Sequence, residues 1–188
     1  MQNDTLTHYE QCLVDLYKGD PGITYDLNEE ELWALAGLVG EDECIIDAIL
    51  KKSREMNLRP MCVVVTDIGA KIISAQREDG CSTARIEMAQ GKAVASLALG
   101  RSSALVKVRQ QQGPEFVAQV QNFVDHKMFM VGGGELVRDV EGRVLGAVGV
   151  TGALEEEDEE VVLYGTRAAG FMTDPDLAHL GPHIRAKP

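Results

Sequence analysis

The sequence predicts an α+β fold, a five-stranded antiparallel sheet covered by helices. Three observations point there. Apolar residues recur at helical spacing in several segments, as Cys44, Ile45, Ala48, Ile49 and Met56 do. Short apolar runs such as Met61–Thr66 have the length of strands. The turns between runs, Asp67–Gly69 and Glu141–Gly142, are too short for the crossover that parallel neighbours need. A doubly wound parallel sheet is thereby excluded.

Residues 1–40 read as a helical appendage. Thr5–Tyr17 reads as a short helix, Gly19–Asp26 as a Gly/Pro loop, and Asn28 with Glu31 as the capping-box start of a second helix carrying Trp33, the single tryptophan. The main domain spans 41–172. Its first helix, Glu41–Met56, begins with three acids and ends near Lys51, Lys52 and Arg54, as the helix dipole favours. Met61–Thr66 and Lys71–Gln76 follow as a hairpin. Thr83–Leu99 is the second helix, with Ala89, Ala93, Ser96 and Gly100 leaving one side flat enough to lie close to a sheet; Gly100 caps it. Gly113-Pro114 opens a third over Pro114–Val124. Met128–Val131, Glu135–Val140 and Arg143–Thr151 read as strands, and Glu155–Ala169 as the last helix. From 173 to 188 three prolines imply an irregular tail.

A chain of 188 residues can bury one core of ordinary size. Its formal net charge of −12 argues against general affinity for nucleic acid or anionic membranes. No run reaches the roughly 18 apolar residues of a membrane span, and MQNDTLTHYEQ lacks the features of a signal peptide. A cytoplasmic protein is expected. The four cysteines show no CxxC spacing; Cys44 and Cys62 read as small buried hydrophobes, and Cys81 as a turn residue open to solvent.

The stretch MFMVGGGELVRDVEGRVLGAVGVTG, Met128 to Gly152, followed by the acidic start of a helix, resembles the GlcG/HbpS-like family, which also forms the C-terminal domain of PduO-type proteins and is labelled haem-degrading or haem-binding. VVVTDIGAKIISAQREDG and AQGKAVASLALGRSS are similar to the family's strand–turn–strand and Lys-Ala helix, in the same order. The resemblance covers roughly residues 40 to 170. It implies a profilin-like α/β/α sandwich that assembles into homo-oligomers, dimers or larger, and haem as cofactor. Two positions depart from the family pattern. Gly91 stands where the family has an acid before Lys92, and Glu135 where it tends towards an apolar residue.

Candidate ligand-binding residues are Lys92, Arg101 and Gly132, Gly133 and Gly134. Lys92 is either a snorkelling surface residue or a pocket cation. Arg101, just past the helix end, either satisfies that end or grips a carboxylate. The triple glycine is either an anion-holding concavity of bare amides or a bulge at a crowded packing point. Candidate catalytic residues are Glu135, Asp79 and His126. Glu135 is placed beside bare backbone where a general base would serve. Asp79 is a turn former or a helix cap, and His126 precedes the glycines. His179 and His183 have metal-pair spacing, but Gly181-Pro182 breaks the helix between them, and no metal site is expected.

Two functions compete. The resemblance implies a binding protein for haem or a related tetrapyrrole, with His126, Lys92 and Arg101 as the available parts. The alternative is a cofactor-independent lyase, decarboxylase or isomerase acting on a small carboxylated metabolite. There the glycine amides would hold an oxyanion, and Glu135, Asp79 or His126 would move the proton.

Overall fold

The structure, a computed structural model, describes residues 44–176. The N-terminal appendage, the acids Glu41–Glu43 and the tail beyond Asp176 lie outside the described residues. In chain order the elements are α1 (Ile45–Glu55), β1 (Cys62–Asp67), β2 (Ile72–Arg77), α2 (Arg85–Leu99), α3 (Ser103–Gln112), α4 (Pro114–Phe123), β3 (Gly134–Arg138), β4 (Val144–Thr151) and α5 (Glu155–Ala168).

The described sheet has four strands in the order β2-β1-β4-β3, every neighbouring pair antiparallel. The expected fifth strand, Met128–Val131, does not form. This segment is instead held on α2, where the Phe129 amide donates to the Gly91 carbonyl at 2.9 Å. An apolar run can be buried against a helix as well as in a sheet, and periodicity does not separate the two. α3 is an element that the sequence reading lacked. Ser102 caps it, its side chain accepting from the Leu105 amide.

Alternation along the strands sorts the core into two faces. Val63 and Val65 of β1, Val148 and Val150 of β4 and Val137 of β3 share one cluster with Ile45, Ile49, Val161 and Val162, so α1 and α5 cover this face. Cys62, Val64, Leu136 and Ala147 point the other way, against Ala89 and Ala93 of α2. Two small residues in sequence become one close contact here. A Cβ on Gly149 would stand 1.9 Å from the Ala89 carbonyl oxygen, so α2 lies directly on β4. Behind α2, the cluster of Val94, Val106, Val117 and Met128 attaches α3 and α4. The architecture is an α/β/α sandwich with α2 against the sheet.

Candidate functional site

The candidate residues fall in separate places. Lys92 is on α2, 1% exposed, and its ammonium donates to the Val150 carbonyl and to Asp158 Oδ2, both at 2.7 Å. Asp158, at the start of α5 and 2% exposed, also accepts from the Ala153 amide at 3.1 Å. The pair therefore ties the helix on one face of the sheet to a helix on the other. Burial pulls Lys92 down and pushes Asp158 up, and the attraction between them opposes both shifts. The partner of Lys92 is an acid 66 residues away in sequence, which explains why a local reading offered only surface or pocket.

Gly132–Gly134 packs around this pair. Gly133 has φ of +101°, and a Cβ there would come within 2.7 Å of Asp158 Cβ and 3.0 Å of Lys92 Nζ. Only glycine meets both demands. The neighbouring amides have acceptors inside the protein: Gly132 N–H donates to Glu155 Oε1 and Gly134 N–H to Ser103 Oγ, each at 2.8 Å. Glu155 is in turn paired with Lys107 at 2.5 Å, which, more than its other contacts, holds its carboxyl below the usual range.

Glu135, the next residue, lies in β3 and is 1% exposed. It points to the α5 face, opposite Val148 in the ladder. Its Oε1 accepts from the Leu136 amide at 3.1 Å and the Asp174 amide at 3.2 Å. Burial first, and then the Asp174 carboxylate, push it up to about 8, so it is mostly protonated at neutral pH. Glu159 of α5 is also raised, by burial and then by Glu155. Among the described residues no group of three or more His, Cys, Asp and Glu could hold a metal ion. Asp79 is exposed in the turn after β2, and Arg101 is exposed just past α2, its guanidinium donating to the Leu99 carbonyl at 3.4 Å. Neither is brought to Lys92 or to His126.

His126 belongs to a different place. A cleft of about 830 Å³ opens between the first half of α2, the end of α4 and the β1–β2 turn. Its apolar lining includes Met88, Val94, Phe123 and Phe129, and its ionic lining includes Lys71, Glu87, Asp125, His126 and Lys127. His126 is the single histidine among the described residues. Asp125 and His126 are both left-handed, with φ of 52° and 59°, where non-glycine residues are uncommon. The conformation is fixed by the His126 amide donating to the Gln121 carbonyl at 2.8 Å. It lets the chain reverse out of α4 and run back along α2. Gly91 makes that return possible, because a Cβ there would meet Phe129 Cβ at 2.8 Å and the Lys127 carbonyl at 2.9 Å. The missing acid before Lys92 thus has a packing consequence: the cleft's inner wall sits on bare helix backbone. Lys71, Phe123 and Lys127 were not among the expected site residues. They come together only through the fold.

The family described as "Haem degrading protein HbpS-like" matches residues 43–167. The chain belongs to this family. No curated protein sequence matches it significantly. Among solved structures, the HbpS-like chain is similar to a PduOC–haem complex, with 18% identity and a TM-score of 0.63 over 79% of this chain and 99% of that one. It is similar to the ORFY protein of Klebsiella pneumoniae, with 22% identity and a TM-score of 0.60 over 78% and 97%. A double mutant of HbpS from Streptomyces reticuli aligns with 20% identity and a TM-score of 0.61 over 81% and 92%. These likenesses show that the HbpS-like chain has the fold of these proteins. No helix of the described residues is long and apolar enough to cross a membrane.

Proposed function

We propose that the chain binds haem or a related tetrapyrrole in the cleft beside His126. The observation that carries this reading is the cleft's make-up. One imidazole, two lysines, the carboxylates of Glu87 and Asp125 and a set of apolar side chains surround a volume within the range of about 300–1,000 Å³ expected of small-molecule sites. Family membership and the haem complex of PduOC, one of the structural relatives, support the same ligand class. The donor set fits the group. An exposed imidazole nitrogen can ligate the iron, the side chains of Met88, Phe123 and Phe129 can cover the macrocycle, and the ammonium of Lys71 can pair with its carboxylates, with Lys127, 3.5 Å from the Asp125 carboxylate, as a second cation at the rim. Bound haem would supply iron chemistry; the chain's own part is to ligate, shield and orient.

The enzyme reading has less support. Its oxyanion donors, the Gly132 and Gly134 amides, already bind Glu155 and Ser103, and its carboxylate-gripping lysine is paired with Asp158. Homo-oligomer formation belongs to the proposal as well, supported by apolar side chains exposed on α3 and α4: Leu105, Val108, Phe116 and Phe123, the last 87% exposed.

Titration of the purified full-length chain with haem, followed by absorbance, tests the reading. A saturable, stoichiometric Soret shift that changes in His126→Ala is the expected result. Weak association without saturation overturns the proposal, and a shift identical in the variant removes His126 from it.

A further inference from the structure

Two thiols that the cleft does not use come together beneath the first half of α2. Cys62 opens β1 and is fully buried; Cys81 follows the Glu78–Gly80 turn and is 9% exposed. They share a small cluster with Val64 and Ala89, and both are free. The ladder explains the convergence. Cys62 stands opposite Arg77 on β2, and the Arg77 guanidinium donates to the Cys81 carbonyl at 2.5 Å, folding the loop back over the start of β1. On its other side Cys62 stands opposite Thr151, whose hydroxyl accepts from Arg85 at 2.6 Å. Arg77 and Arg85 thereby lie to either side of the pair, Arg77 through the Cys81 carbonyl and Arg85 through Thr151.

We infer that Cys62 and Cys81 form an oxidisable dithiol, a modification site for low-molecular-weight disulfides of the glutathione class. Cys81, at the rim, reacts first. Its thiolate attacks the reagent's disulfide, forming one S–S bond while the reagent's bond breaks and one thiolate leaves. Cys62 then gives its proton to solvent and attacks the Cys81 sulfur, expelling the second thiolate. Two protein thiols are oxidised and one disulfide is reduced to two thiols. Burial, more than the neighbouring Cys81, pushes the Cys62 thiol up to about 12, so the second step is the slow one and a mixed disulfide on Cys81 precedes the bond. The product ties the first residue of β1 to the connection that leads into α2. Nothing in this depends on what the cleft binds.

Incubating the native full-length chain with glutathione disulfide, followed by thiol counting, intact mass and peptide mapping, tests the inference. The expected result is loss of two of the four thiols, a mass lower by two hydrogens, and one linked peptide pair joining Cys62 to Cys81. Cys62→Ser should stop at a glutathione adduct on Cys81. Four intact thiols, an adduct on Cys81 that persists while Cys62 is present, or linkage only through Cys12 or Cys44 would overturn it. The map of the unmodified sequence decides the matter even if Cys62→Ser fails to fold.

Discussion

The interior around Lys92 and the cleft around His126 lie on opposite sides of one stretch of α2, and they treat polar groups in opposite ways. Around Lys92 the polar groups meet protein partners: the ammonium has Val150 and Asp158, and the Gly132 and Gly134 amides have Glu155 and Ser103. Among the described residues no buried side-chain nitrogen or oxygen lacks a partner. At the cleft, Lys71, His126 and Lys127 are exposed among apolar and acidic side chains, and Lys127 has only the exposed Asp125 carboxylate at 3.5 Å. The first arrangement suits holding two layers of the sandwich together. The second suits capture of something from outside. A lysine inside a recognisable motif is thus not automatically the lysine that meets a ligand.

Breaking the interior pair should have the largest effect. Lys92→Ala leaves Asp158 buried without its cation and should cost about 3–5 kcal/mol in urea unfolding. Replacing both partners by apolar residues of similar volume should recover much of that loss. A neutral single substitution would mean that the pair does not join α2 to α5. Gly133→Ala comes next. It adds a methyl group where Asp158 and Lys92 already stand and forces a left-handed alanine, at about 1–3 kcal/mol by the same measurement.

Glu135 sharpens the contrast through pH. Its folded-state pKa of about 8 lies above the ordinary 4.5, so between those values the native chain holds a proton that the unfolded chain has lost. Stability should therefore fall as pH rises from about 4.5 to about 8 and level off above that. Glu135→Gln should flatten this part of the profile and raise the urea midpoint at about pH 8. An unchanged slope would place the titrating group elsewhere.

The smallest stability effects belong to the cleft. His126→Ala should leave the unfolding midpoint within about 0.5 kcal/mol of the parent, as an exposed side chain does, while changing the haem spectrum. His126→Gly should go further and stabilise by about 1 kcal/mol, since it relieves a left-handed non-glycine residue. If His126→Ala unfolds the chain instead, the two regions are not distinct in the way the geometry indicates.

Much of the fold was legible in the sequence because it is local. The helical period of α1, the glycine cap of α2, the Pro114 start of α4 and the two tight turns can each be read from a few adjacent residues. The flat alanine side of α2 correctly announced a close approach to a sheet, though not that Gly149 was its partner. What escaped was long-range. Met128–Val131 is apolar enough for a strand, and only Gly91 on another element gives it a helix to lie on. α3 was missed although Ser102 was an available cap signal, since its buried residues are just Ser103 and Val106. The site divided similarly. His126 was named, but its surroundings Lys71, Met88 and Phe129 come from separate segments, and Cys81, expected in solvent, is buried against Cys62 by a loop that Arg77 folds back.

The two margins of the sheet differ in one further respect. Along β3, Arg138 forms a bridge with Met172, and the following residues are fastened by Arg138 to Asp174 at 2.8 Å and by Thr173 to Asp176. Along β2, no strand of the described residues adds to the outer side. A sheet with both margins open can extend from copy to copy without end, whereas one with a single open margin is used up after one two-fold pairing. The short strap from Met172 to Asp176 thereby acts as a cap on the Arg138 end of β3, so that among the described residues the two margins are unequally open to a further strand.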